Sequence, residues 1–108
     1  MTTAPKLDID AMRQAAGDAT SLLRTLANVD RLLLLCQLSQ GEKSVGELEE
    51  ALGILQPTLS QQLGVLRHED VVSTRRCGKR IHYSVKDPRV LPLLDQLYTL
   101  YCGDRHDH

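Results

Sequence analysis

Two β-branched runs, Val71-Val72-Ser73-Thr74 and Ile81-His82-Tyr83-Ser84-Val85, enclose Arg75, Arg76, Cys77, Gly78, Lys79 and Arg80. Strand-forming residues on either side of a Cys77-Gly78 turn predict an antiparallel hairpin, here with four cations crowded at its tip. Directly upstream stands Gln56-Pro57-Thr58-Leu59-Ser60-Gln61-Gln62-Leu63-Gly64-Val65-Leu66. Leu59, Leu63 and Leu66 recur at helical spacing and leave glutamines and hydroxyls on the other face. Few folds feed a polar-faced helix straight into a cationic hairpin. The order predicts a winged helix-turn-helix, mainly α with a small β-hairpin wing.

At 108 residues the chain has the length of one domain. Its 42% hydrophobic content includes no Phe or Trp, so the core must be aliphatic. A domain this small buries a modest share of its surface, and a dimer would hide more. The formal net charge of −1 gives no hint of nucleic acid, but its distribution does. Residues 55–86 hold six Lys/Arg against Glu69 and Asp70, a local excess of +4 in an otherwise acidic chain. Such a footprint grips phosphate, while the acidic remainder limits indiscriminate binding. No apolar run is long enough to span a bilayer and no signal-peptide pattern opens the chain, so no membrane partner and a cytoplasmic location are expected.

Residues 1–8 are polar and expected to be flexible, 9–102 form the folded domain, and 103–108 a polar tail. Met12, Ala15, Ala16, Ala19, Leu22, Leu23 and Leu26 mark a first helix from Ile9 to about Ala27, its alanines allowing close approach of another helix. Asp30 is the expected N-cap of a second helix, Arg31 to Ser39, whose apolar run Leu32 to Cys36 predicts a central place. Gly41 follows it. Ser44 and Glu47 stand at capping-box spacing and open a short third helix ending near Gly53. The fourth begins near Gln56, with Pro57 tolerated in its first turn. Asp87-Pro88 looks like the start of the last, with Pro92 able to delay its regular part by a turn, and Leu91, Leu94, Leu97, Tyr98 and Tyr101 continue its apolar face to Cys102.

In this arrangement the fourth helix enters the major groove. Gln56, Thr58, Ser60 and Gln61 are its groove-facing candidates, with Gln62 at the margin. Gln pairs bidentately with adenine, and hydroxyls adapt to several edges. Arg75, Arg76, Lys79 and Arg80 belong on phosphates or in the minor groove. A solvated helix beside an ordinary charged hairpin would explain either piece alone. Their order and local charge together favour double-stranded DNA as the partner. No Cys-x-x-Cys motif or β-α-β pattern supports a thiol oxidoreductase, so neither an enzymatic role nor a cofactor is expected.

The stretch from Ser44-Val45-Gly46-Glu47-Leu48 through Gln56–Arg67 to Gly78-Lys79-Arg80-Ile81-His82-Tyr83-Ser84 resembles the ArsR/SmtB family of dimeric repressors, with similarity over roughly residues 20–102. The resemblance implies a homodimer built on the terminal helices, an inverted-repeat operator, and release when an inducer engages a sensor site. Leu55 departs from the pattern, occupying a place often taken by a helix-capping Ser. Two metal sites of the family lack their ligands. Ser44, Val45 and Gly46 stand where a Cys-x-Cys cluster is needed, and Asp87, Arg89, Leu100 and Gly103 fall at the positions of the C-terminal-helix site.

Three cysteines remain to be placed. Cys36 by itself reads as a packed small hydrophobe. Cys102 lies near a predicted helix end, where thiolate chemistry is more accessible. Cys77, at an exposed turn beside Arg76 and Lys79, has an incidental role. The pattern further resembles a persulfide-sensing subgroup, the biofilm growth-associated and sulfide-responsive repressors. That resemblance implies Cys36 and Cys102 as the sensor pair, bridged by reactive sulfur species or another oxidant, with no metal site. The alternative is a metal-responsive repressor using Cys36, Cys102 and the tail histidines His106 and His108.

Overall fold

The computed structural model describes residues 8–106, with side chains through Gly103. The expectation for residues 1–7 and the metal-binding potential of the His106 and His108 side chains lie outside the described region. Five helices and a small sheet follow in the order α1 (Ile9–Leu26), α2 (Val29–Leu38), β1 (Lys43–Ser44), α3 (Val45–Leu52), α4 (Thr58–His68), β2 (Val72–Cys77), β3 (Arg80–Val85) and α5 (Val90–His106). This is the expected winged helix-turn-helix.

Local chemistry sets most boundaries. Asp8 caps α1 by accepting from the Asp10 amide. Asn28, not Asp30, caps α2, its side chain accepting from the Arg31 amide at 3.0 Å. Asn is as good a cap as Asp and stands two residues earlier, leaving Asp30 in the first turn where its charge suits the helix dipole. The Ser44–Glu47 capping box forms in both directions, at 3.2 and 2.8 Å. Those hydrogen bonds hold the Glu47 carboxyl below its usual range, the Ser44 amide contributing most. Gly53, at φ 69°, ends α3 in the left-handed region that glycine enters without strain.

The core gathers Leu22 and Leu26 of α1, Leu34, Leu35 and Leu38 of α2, Leu48 of α3, Leu59, Leu63 and Leu66 of α4, and Val90 and Leu94 of α5. The α4 stripe is buried as its spacing predicts. Helix α2 is less enclosed than its all-apolar run implied. Leu34 and Leu35 are fully buried, but Leu33 remains 41% exposed and Cys36 faces solvent. One face of α2 therefore stays open in the single chain, and Cys36 is not a packed core residue.

The hairpin forms in the register Val72↔Val85 to Cys77↔Arg80. Because Cys77 pairs with Arg80, the turn is Gly78-Lys79 rather than Cys77-Gly78. Gly78 adopts φ 64°, and a two-residue hairpin turn needs a positive φ at that position. A third strand escaped the sequence reading. Lys43 and Ser44 pair with Tyr83 and His82, giving the sheet order β1-β3-β2. Strand β1 thereby anchors the wing to the start of α3.

Beyond the residues they give to this core, α1 and α5 leave apolar side chains uncovered. The radius of gyration is 16.2 Å, against about 13 Å for a compact chain of this length. Apart from Leu22, Thr25 and Leu26, α1 is open to solvent, including Met12 and Leu23. On α5, Leu91, Leu100 and Tyr101 are also exposed.

Candidate DNA interface and thiol pair

Burial of Leu59, Leu63 and Leu66 turns the opposite face of α4 outward. Thr58, Ser60 and Gln61 are exposed on it. Gln56 lies just ahead of the helix in the turn, which contains a cis Gln56–Pro57 peptide, and its side-chain oxygen accepts from the Ser60 hydroxyl. No side chain caps α4, whose N-cap position is held by Pro57, a residue with no hydrogen-bonding side chain. Gln62 differs from its neighbours. It is half-buried, and its amide oxygen accepts from Arg31 Nη1 at 2.8 Å.

The wing cations also divide. Arg75 meets Glu42 in a two-pronged ion pair, Nη2–Oε1 at 2.7 Å and Nε–Oε2 at 3.1 Å. The hydrogen bonds draw the Glu42 carboxyl below its usual range and raise the Arg75 guanidinium further above neutrality. Arg75 thus fastens the wing to the segment before β1, and its charge is already answered. Among the described residues no ion pair engages Arg76, Lys79 or Arg80, all exposed toward the wing tip. Glu42 and Arg31 were missed by sequence reasoning. Each acts on a residue more than thirty positions away, so neither leaves a local pattern.

The thiols are not distributed at random. Cys36 on α2 has its pKa raised above the ordinary 9.0, first by the protein around it and then by the charge of Cys102. That second contribution brings Cys102 of α5 into the electrostatic neighbourhood of Cys36. Cys102 is half-buried within a helix continuing to His106, so it does not mark a helix end. Cys77 stands apart, exposed on β2 beside Arg75. Among the described residues no cluster of three or more His, Cys, Asp or Glu is placed to hold a metal ion. No described helix is long and apolar enough to cross a membrane.

Residues 28–74, from the start of α2 into the wing, match the family described as "Bacterial regulatory protein, arsR family". The biofilm growth-associated repressor of Xylella fastidiosa is 47% identical over 100 residues, covering 93% of this chain and 88% of that protein. The chain belongs to the ArsR family. A second ArsR-family relative, the biofilm growth-associated repressor of Agrobacterium fabrum, is 48% identical over 91% of this chain and 84% of its own length. The crystal structure of the transcriptional repressor BigR from Xylella fastidiosa superposes with a TM-score of 0.83 at 47% identity, covering 89% and 98% of the two chains. Reduced HlyU from Vibrio cholerae gives a TM-score of 0.82 at 36% identity, over 87% and 99%. The ArsR family is one of winged-helix transcriptional regulators, and this chain is a repressor-type member of it.

Within this ArsR-family frame, helix and wing are expected to fail differently when damaged. Gln61→Ala should lose discrimination between operator and random duplex by about 5- to 150-fold, the worth of one good base contact, with little loss of nonspecific affinity. Arg80→Ala should weaken both duplexes alike and reduce the magnitude of the salt slope by about one. Fluorescence anisotropy titrations at several salt concentrations separate the two. Identical behaviour of the variants would mean that helix and wing do not divide the work in this way.

Proposed function

We propose that the chain is a dithiol-switched repressor. As a reduced homodimer it holds an inverted-repeat operator, and bridging of Cys36 to Cys102 by reactive sulfur species releases it. What carries this reading is the placement of the two thiols, Cys36 on α2 and Cys102 on α5, neither sealed in the core and near enough that the charge of Cys102 helps to raise the Cys36 pKa. The relatives named biofilm growth-associated repressor support it by similarity.

The coupling suits a two-step reaction, because it disfavours two thiolates at once. Cys102 as thiolate attacks the terminal sulfur of a hydropersulfide, takes it up as a cysteine persulfide, and expels the carrier thiolate. Cys102 is then a persulfide, and its inner sulfur is electrophilic when the terminal sulfur carries a proton and can leave as hydrosulfide. Cys36 loses its proton to solvent and attacks the inner sulfur, forming a disulfide and expelling hydrosulfide. Two thiols are oxidised, and the persulfide is reduced to a thiol and sulfide. A trisulfide results if the Cys102 persulfide first attacks the inner sulfur of a second hydropersulfide, expelling hydrosulfide, and Cys36 then attacks the retained sulfur and expels the carrier thiolate.

The exposed apolar side chains on α1 and α5 and the 16.2 Å radius of gyration of the lone chain support the dimer, since soluble monomers rarely leave such patches open. Two α4 helices then lie about one helical turn of DNA apart. The bridge ties α5, on the dimer face, to α2, which packs on α4, so oxidation acts on the spacing of the reading heads. The test pairs sedimentation with operator binding before and after treatment with glutathione hydropersulfide, followed by intact mass and peptide mapping. A reduced dimer that binds, and a Cys36–Cys102 bridge that accompanies release, are expected. A monomer on DNA, or release without that bridge, would overturn the proposal.

A further inference from the structure

Arg31 joins three elements. Its Nε donates to the Thr25 carbonyl at the end of α1 at 2.6 Å, and its Nη1 donates to Gln62 Oε1 on α4 at 2.8 Å. Its own amide is held by the Asn28 cap of α2. The α1 carbonyl, the α2 backbone and one side chain of the reading helix therefore share a single guanidinium. An arginine only donates, so the atom of Gln62 that faces it must be the amide oxygen. That bond orients the Gln62 amide and leaves its NH2 as the group available to DNA.

We infer that Arg31 is a positioning residue for sequence reading, which fixes the Gln62 amide so that it presents its NH2 to DNA in preference to the oxygen-and-NH2 pair that reads adenine. Bidentate pairing to adenine needs the glutamine oxygen to accept from N6 while the NH2 donates to N7. The Arg31 bond takes one of the oxygen's two lone pairs and fixes the amide plane, so Gln62 is set to present its NH2 donor, matched to acceptor edges such as guanine N7 and O6 or thymine O4. Arg31 itself touches no base and no phosphate in this role. It also couples the reading face to α1, the helix placed at the dimer interface in the proposed assembly. The inference rests on α4 being the reading helix, which the Gln61→Ala experiment tests independently.

A double-mutant cycle on Arg31→Met and Gln62→Met measures the claim, with each variant titrated against operator, random duplex, and operators substituted base by base opposite Gln62. Each single variant should lose about tenfold in operator discrimination, the scale of one charge-assisted hydrogen bond. The double variant should lose no more than the worse single, because both delete one device. The salt slope should stay unchanged in all three, whereas an arginine on phosphate would lower its magnitude by about one. Arg31→Met should also relax the base preference opposite Gln62 toward adenine, since it frees the amide to turn both its oxygen and its NH2 to one base. Additive losses, a reduced slope, or an unchanged base preference would overturn the inference. Should Arg31→Met fail to fold, Gln62→Met decides alone, because it leaves the Arg31–Thr25 bond in place. Unaltered discrimination by Gln62→Met, alongside a loss in Gln61→Ala, would sink the positioning role while sparing the reading helix.

Discussion

Cys36→Ser and Cys102→Ser are each expected to bind operator like the parent when reduced and to keep hold of it under persulfide, while Cys77→Ser releases normally. A bridge shifts DNA affinity only by its differential free energy between binding and non-binding forms of the dimer. Couplings of this kind amount to about 1–3 kcal/mol, or about 5- to 150-fold in affinity. Either serine variant should abolish that whole response, because a single thiol cannot close the bridge. Cys77 lies on the wing beside Arg75, away from the pair whose charges interact. The rate should carry the signature of Cys36. Burial, and after it the charge of Cys102, raises the Cys36 pKa above its ordinary value, so bridge closure should accelerate as pH rises and the attacking thiolate becomes more populated. Stopped-flow anisotropy across pH reads both effects. An unresponsive Cys77→Ser beside a responsive Cys102→Ser would assign the switch to the wing instead.

Leu63→Ala should cost about 2–5 kcal/mol of folding stability, whereas Leu55→Ala should change it by less than about 0.5 kcal/mol. The two leucines lie eight residues apart, yet Leu63 is 1% exposed and Leu55 70% exposed. Leu63 is the middle member of the stripe that docks α4 on the core, so its truncation leaves a cavity that rigid helices cannot close. Chemical denaturation should show a lower midpoint with an unchanged slope for Leu63→Ala. A cost below about 1 kcal/mol would mean that α4 is not held through this stripe. The functional consequence is direct, because a loosened α4 no longer presents Thr58, Ser60 and Gln61 as one face.

The features legible in the sequence are those whose causes are local. The Ser44–Glu47 box, the 59–63–66 leucine stripe and the two β-branched runs each carry their signal within one turn or one strand, and each appears in the structure. Even the local misreadings were small. Asn28 displaced Asp30 as a cap, and the hairpin turn moved by one residue to place Gly78 first. The likeness to the ArsR family was equally readable, because Gln56–Arg67 and Gly78–Ser84 are continuous stretches.

Tertiary structure decided what depends on partners distant in the chain. Strand β1 is two residues long and exists only because β3 offers Tyr83 and His82. Arg75 looked like a free cation until Glu42 was brought beside it, and Gln62 like an ordinary reader until Arg31 took its oxygen. Cys36 lay in an apolar run that implied burial, yet packing turned that face of α2 outward and brought Cys102 into its electrostatic reach. The physical reason is common to all four. A helix or hairpin is specified by the spacing of neighbours along the chain, whereas the charge state and availability of a side chain are set by whatever the packed elements place next to it.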